Sequence, residues 1–293
     1  MKKKSTHAQI ILTIVFVIIC LSVLIPFMLL VSASFSNEKD VLVNGFKLIP
    51  EHFDLSAYKY VFKNLDDVIQ AYKVTATFSI VGMVLSTLLM AFAAYPLSSP
   101  KMRGRTGFAF YFYFTMLFSG GLVPTYILIT QYLHLQDTIW VYILPSLISP
   151  WYVFMMRTFF SEIPAALSES MRIDGAGEYR IFFQLIIPLS KPVIATVALF
   201  VFLIRWNDWN TAMLYINDQK MISLQYLLQK QLREIQFIQD NMKSTTVELG
   251  IAQIPTTTIQ MAMAMVVAGP AMLVFPFFQK YFVKGIRVGA VKG

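Results

Sequence analysis

The sequence predicts an all-α, polytopic membrane protein with six transmembrane helices. Three observations predict it: 57% of the residues are hydrophobic and only 14% are charged, the mean hydropathy is +0.62, and apolar runs of spanning length recur along the 293 residues. An ordinary soluble domain of this length is far more polar. A helix needs about 20 apolar residues to cross roughly 30 Å of hydrocarbon.

Taken in order, the runs fall at 9–33, 74–96, 107–130, 138–160, 192–209 and 259–282, the fifth being the shortest. The first follows Lys2, Lys3 and Lys4 and ends at Val31-Ser32-Ala33, whose small residues also suit a signal peptidase. The run exceeds the usual signal-peptide core of about 7–15 residues, so a retained helix is expected. Cys20 is the sole cysteine and lies within that run, so a disulfide within the chain is excluded. Pro26, Pro124, Pro145, Pro150, Pro270 and Pro276 punctuate the spans, and Ala268-Gly269-Pro270 is the best hinge candidate.

With both termini on one side, that side carries fourteen lysines and arginines against four acids, Glu162, Glu169, Asp174 and Glu178; the other carries ten against twelve. The positive-inside rule then places the termini and the 162–192 segment in the cytoplasm. The basic balance reflects topology and lipid headgroups, with no reason to invoke nucleic acid. Outside lie 34–73, 131–137 and 210–258. The last includes a helix-like stretch, Ser223 to Asp240, with Leu224, Leu227, Leu228 and Leu232 at helical spacing and Pro255 near its end. It reads as an amphipathic helix on the membrane surface or as a docking surface for an external partner.

No phosphate-binding loop, zinc-protease motif or Gly-x-Ser-x-Gly turn is present, and His7, His52 and His134 are scattered. The expectation is no enzyme, no metal and no cofactor. Ion-coupled carriers need ionisable groups deep in the membrane. None of the 16 acids falls mid-span, Asp208 sitting at an outer end, so energy is expected from another subunit. A stand-alone channel or carrier is the rival reading.

The most informative segment is the polar stretch Glu162 to Pro192. Ser161 suits a helix cap, Gly175 permits the positive φ that ends a helix near Asp174, and a second helix, about 178–187, is expected to end at Pro188. The two make a compact knob, with Ala166, Leu167, Ser170 and Met171 offering small and apolar surface suited to a groove in another protein. The bland alternative is a connector resting on headgroups. Glu169-Ser170-Met171, Gly175, then Leu185, Ile187 and Pro188 resemble the EAA loop of importer-type ABC permeases, E-A-A-x-x-x-G, nine residues, then I-x-L-P. Ser170 and Met171 stand where that family usually has Ala, and Leu185 and Ile187 where it has Ile and Leu.

The resemblance continues through Ala93-Ala94-Tyr95-Pro96-Leu97-Ser98, Gly121-Leu122-Val123-Pro124-Thr125-Tyr126, Arg157-Thr158-Phe159-Phe160, Pro188-Leu189-Ser190-Lys191-Pro192, Trp206-Asn207-Asp208-Trp209 and Gly289-Ala290-Val291-Lys292-Gly293. These look like the maltose-transporter-type second permease subunit, in the complex-oligosaccharide branch. The resemblance implies an importer-type ABC permease core. Residues 1–70 would form the first helix and external loop, and 71–283 a core of five spans with a coupling loop at 161–190 and an external loop at 210–258. Residues 284–293 would form a cytoplasmic tail.

It further implies a homologous second permease, two copies of a cytoplasmic ATPase that bind the ATP and Mg, an extracytoplasmic solute-binding protein and an oligosaccharide, in a bacterial cytoplasmic membrane. The fragment would come from polysaccharide breakdown and include acidic sugars such as alginate or pectin pieces. By the resemblance, Ala166, Leu167, Glu169, Ser170, Met171, Asp174, Gly175, Ala176 and Pro188 couple to the ATPase. Candidate substrate-pathway residues are Ser86, Ser119, Ser149, Trp206, Asn207, Trp209 and Asn210, polar or aromatic groups on or near spans where sugar hydroxyls and ring faces need partners. Hydrogen bonding between helices and an interfacial aromatic belt are the competing roles for them.

Overall fold

The computed structural model describes the backbone of residues 6–244 and 256–290. Among these the chain is helical, with a single isolated bridge between Ser36 and Phe53 as its only β feature. The helices are α1 (Thr6–Ser34), α2 (Glu38–Asn44), α3 (Ser56–Val61), α4 (Leu65–Ser98), α5 (Arg105–Leu117), α6 (Leu122–Ile127), α7 (Trp140–Ile143), α8 (Pro150–Ser161), α9 (Ala165–Ile173), α10 (Glu178–Ile181), α11 (Ile187–Leu189), α12 (Lys191–Trp206), α13 (Asn210–Tyr215), α14 (Leu224–Ser244) and α15 (Thr256–Ala290). They fall into two compact units, Met1–Leu65 with Leu228–Pro270, and Asp66–Leu227 with Ala271–Gly293.

In the first unit, α1 is apolar on every side, and its most hydropathic window has none of its residues buried. At 1.5 Å per residue its 26-residue span, Gln9–Ser34, runs about 39 Å, enough to cross a bilayer. Its last turn is pinned by the Ser34 hydroxyl, paired with the Tyr58 hydroxyl at 2.9 Å. In the same unit the Glu38 carboxylate accepts from the N–H groups of Thr257 and Thr258, at 2.9 and 2.8 Å, and from the Thr258 hydroxyl at 2.7 Å. A negative charge there satisfies donors that the first turn of α15 leaves free.

In the second unit, α4 presents Val68, Ala71, Thr75, Phe78, Gly82, Ser86, Met90, Ala94 and Leu97 at helical spacing as a buried stripe, while Ile80, Val84, Leu88 and Phe92 are exposed. Both faces are apolar because one meets protein and the other suits lipid; the small residues on the buried face let neighbouring backbones approach. One core packs Met90, Ala94 and Leu97 against Val153, Met156 and Phe160 of α8, Phe182, and Val197 of α12. Another places Phe78 flat on Tyr142, ring centroids 4.2 Å apart, beside Ala212 and Tyr215.

Three helices are long and apolar enough to cross a membrane: Gln9–Ser34, Leu65–Ser98 and Thr256–Val274. Counting each of two bent pairs as one span gives up to five among the described residues: Arg105–Leu117 with Leu122–Tyr132, bent 109°, and Glu178–Leu189 with Lys191–Trp206, bent 82°. The run expected as one helix at 107–130 turns sharply at Gly120-Gly121, where Gly121 takes φ 86°, a conformation that side chains with a Cβ avoid. The run at 138–160 is also not one helix. It breaks between α7 and α8, because Pro145 and Pro150 each lack the N–H that would bond the carbonyl four residues back. The expected hinge Ala268-Gly269-Pro270 lies within α15. The helix expected at 223–240 is present as α14, with Leu224 and Leu228 buried; Pro255 is outside the described residues.

Candidate functional site

The polar segment between α8 and α12 folds as an elbow. Helix α9 ends in a Schellman turn: the Gly175 N–H donates to the Arg172 carbonyl at 3.0 Å and the Ala176 N–H to the Met171 carbonyl at 2.9 Å. Gly175 supplies the φ of 79° that this turn demands. Met171 and Ala176, the two residues whose side chains meet across such a turn, both pack into the core formed with α4 and α8. Ala176 is buried and Met171 partly buried, and both anchor the elbow.

Polar latches hold the same elbow. Arg172 reaches Glu178 with two donors, Nε to Oε1 at 2.8 Å and Nη2 to Oε2 at 3.3 Å, and the Tyr95 hydroxyl donates to Glu178 Oε2 at 2.6 Å. Lys101 Nζ meets Glu169 Oε1 at 2.9 Å, and this hydrogen bond holds the Glu169 carboxyl below the usual carboxylate range. Tyr95 and Lys101 thus fasten the elbow to the end of α4 and the turn beyond it.

What remains exposed is a stripe of α9, Ala166, Ser170 and Ile173, flanked by Leu167, Glu169 and Asp174. Ile173 is 86% exposed and Tyr179, just past the turn, 77%. Large apolar side chains left this open on a rigid projection suit burial by another molecule. Sequence reasoning missed both; a signal was available in Ile173, apolar at the helical spacing i, i+4, i+7 that Ala166 and Ser170 begin.

Two local expectations are corrected. Ser161 does not cap α9; it ends α8, and its hydroxyl donates to the Arg157 carbonyl at 2.9 Å. Helix α9 starts after Pro164, whose ring keeps Ile163 out of the helical region. Pro188 does not stop the second helix, which continues to Leu189 through a wide π turn at Phe182–Ile186. The wide turn makes room for a proline that has no N–H to give and whose ring would otherwise press on the preceding turn.

The second unit also contains an open cavity of about 360 Å³. One wall is Val141, Pro145 and Ser146, at the break between α7 and α8; the other is Ile204, Arg205 and residues 207–211, where α12 passes into α13. Of the expected pathway residues, Asn207, Trp209 and Asn210 come together here. Trp206 does not line it: it is 4% exposed, its ring stacked on Phe202 at 5.5 Å. Ser86 is buried as an acceptor for Arg205 at 2.8 Å, the Ser119 hydroxyl accepts the Gly121 N–H at 3.2 Å at the bend after α5, and Ser149 immediately precedes α8. Asn207 Oδ1 accepts from Gln225 Nε2 at 2.9 Å, which orients its amide.

The chain matches, over residues 1–288, the family described as binding-protein-dependent transport system inner membrane component. It belongs to that family. It is 38% identical to the polygalacturonan/rhamnogalacturonan transport system permease protein YtcP of Bacillus subtilis (strain 168), over 96% of this chain and 95% of that one. It is 37% identical to protein LplC of the same organism, over 92% and 90%. Its fold matches a chain from the crystal structure of a bacterial ABC transporter involved in the import of the acidic polysaccharide alginate, with a TM-score of 0.79 and 28% identity, covering 96% and 99%. This permease is therefore a transport component and not an enzyme, as the missing catalytic motifs led one to expect.

Arg205 is the cavity residue that sequence reasoning passed over. It is 3% exposed and is the only charged side chain between Lys191 and Asp208. An ionisable group inside an apolar span is by default a functional candidate, and that was the available signal.

Proposed function

We propose that this permease forms half of a translocation pathway for an oligosaccharide. The other half is a homologous second permease; a solute-binding protein delivers the sugar, and two cytoplasmic ATPase subunits supply the work through the elbow at 161–190. ATP and Mg belong to the ATPase, and this chain carries no cofactor. The termini and elbow face the cytoplasm of a bacterial cell and the cavity lies on the sugar's path. The observation that carries the reading is the elbow, clamped at its base by Glu178 and Glu169 and open at Ile173 and Tyr179. A rigid base with an apolar tip transmits displacement to the helices that continue from it, α8 and α12.

An acidic substrate is supported by what two relatives are described as handling, polygalacturonan/rhamnogalacturonan in one and the acidic polysaccharide alginate in the other, all uronate-containing polymers. The cavity adds Trp209 for an apolar ring face and Asn207 and Asn210 for hydroxyls. The test replaces Cys20 with Ser and introduces Ile173→Cys for crosslinking in membranes containing the whole transporter. A crosslink to the ATPase, together with galacturonate-oligomer uptake that stops without ATP, is expected. Uptake by vesicles holding this chain alone, or labelling of Ile173→Cys from the outer face, would overturn the proposal.

A further inference from the structure

We infer that Arg205 is a positioning residue that clasps the two walls of the cavity and so sets the seat for the sugar. The inference rests on the reading that the cavity lies on the sugar's path. Arg205 leaves the α12 wall and binds the opposite one: Nη1 donates to the Tyr142 carbonyl at 2.6 Å, and Nη2 to the Ser146 carbonyl at 3.0 Å and the Ile143 carbonyl at 3.4 Å. Nη2 also donates to the Ser86 hydroxyl on α4 at 2.8 Å. No acid lies within ion-pair distance of it among the described residues.

These acceptors exist because the helix between 138 and 160 is broken. In an unbroken helix the Ser146 carbonyl would take the N–H of residue 150, but Pro150 has none. Arg205 supplies that donor from another helix. The planar fork of a guanidinium serves several carbonyls at once, which a compact lysine ammonium does not. Gly82 makes room: a Cβ there would stand 2.7 Å from Cζ, Nε and Nη1 of Arg205. The same guanidinium thus fixes the distance between Ser146 on one wall and Ile204 with residues 207–211 on the other. The cavity so held lies in the lower part of the usual range for small-ligand sites, about 300–1,000 Å³.

The test uses the whole transporter with Cys20→Ser and a reporter, Ile204→Cys, in the cavity wall. A galacturonate trisaccharide is expected to slow labelling of the reporter by a soluble maleimide. Gly82→Ala, which displaces the guanidinium, and Arg205→Lys, which loses the fork, are expected to abolish that protection. They should also raise the KM for uptake about tenfold, as losing a charged hydrogen-bond set implies. Ser86→Ala, which adds no volume, should shift KM in the same direction by about twofold. A merely structural role would lower the yield of complex and leave protection intact in what assembles; that result overturns the clasp. If neither larger variant assembles, an unchanged KM and full protection in Ser86→Ala overturn it, and a raised KM with weakened protection supports it. Protection absent from the parent protein overturns the sugar-path reading and the clasp with it, whereas protection that survives in the variants overturns the clasp alone.

Discussion

Replacing Gly175 should loosen the elbow in a graded way. Its φ of 79° lies where a Cβ is disfavoured, yet nothing stands within 4 Å of the position an added Cβ would take. The cost of Gly175→Ala is therefore conformational alone, about 1–2 kcal/mol. Gly175→Asn should cost less, since Asn tolerates the left-handed region. Gly175→Pro forces φ to about −65° and deletes the N–H that donates to Arg172, so it should cost about 3 kcal/mol or more. In a two-state elbow these penalties shift the closed-to-open ratio by roughly tenfold for Ala and more than a hundredfold for Pro. The assay is thiol accessibility at Met171→Cys, an inward-facing anchor, in a Cys20→Ser background, read beside co-purification of the proposed ATPase. Accessibility should rise and co-purification fall in the order Gly, Asn, Ala, Pro, with membrane insertion unchanged. Equal behaviour of Ala and Pro, or no change with either, would refute the claim that the turn at Gly175 holds the elbow.

Ile173→Ser and Tyr179→Ser should each weaken ATPase co-purification by about tenfold with no loss of thermal stability, because neither side chain is packed within the chain; an unchanged association would mean that the partner seats elsewhere. The Lys101–Glu169 pair stabilises the elbow with Glu169 ionised. Since the folded carboxyl is lowered by Lys101, the contribution is complete above the ordinary carboxylate value of about 4.3 and fades as pH falls through the lowered one. Met171→Cys should accordingly be equally protected from pH 8 to about pH 5, with any change from this pair confined to lower pH; a shift near neutrality would contradict the assignment. Glu38→Ala should lower the stability of the detergent-solubilised protein by about 2–3 kcal/mol, since three donors at the start of α15 lose a buried acceptor; a thermal melt matching the parent would contradict this.

Much of this was legible in local sequence. The turn at Gly175 could be read because a Schellman stop depends on one residue's φ, and α1 and α4 because their apolar runs exceed a bilayer's thickness. Helix α14 followed from its leucine spacing. Breaks were harder to read: Pro26 sits inside the continuous α1 and Pro96 inside α4, while Pro145 and Pro150 interrupt their helix. At the second break a distant donor, Arg205, takes up the Ser146 carbonyl that Pro150 leaves free, and no local window contains that information. Likewise Met171 and Ile173, two positions apart on one helix, face inward and outward, and only the packing of α4 and α8 decides which.

The carboxylate of Glu38 has a consequence for the order of assembly. Its partners on Thr257 and Thr258 lie 219 and 220 positions later in the chain. During synthesis this acid must wait for these donors until the chain has been made through Thr258. Only when α15 arrives does its charge find the N–H groups that receive it, so a nascent chain released before Thr257 holds its early loop by local bonds such as Ser34 to Tyr58 alone.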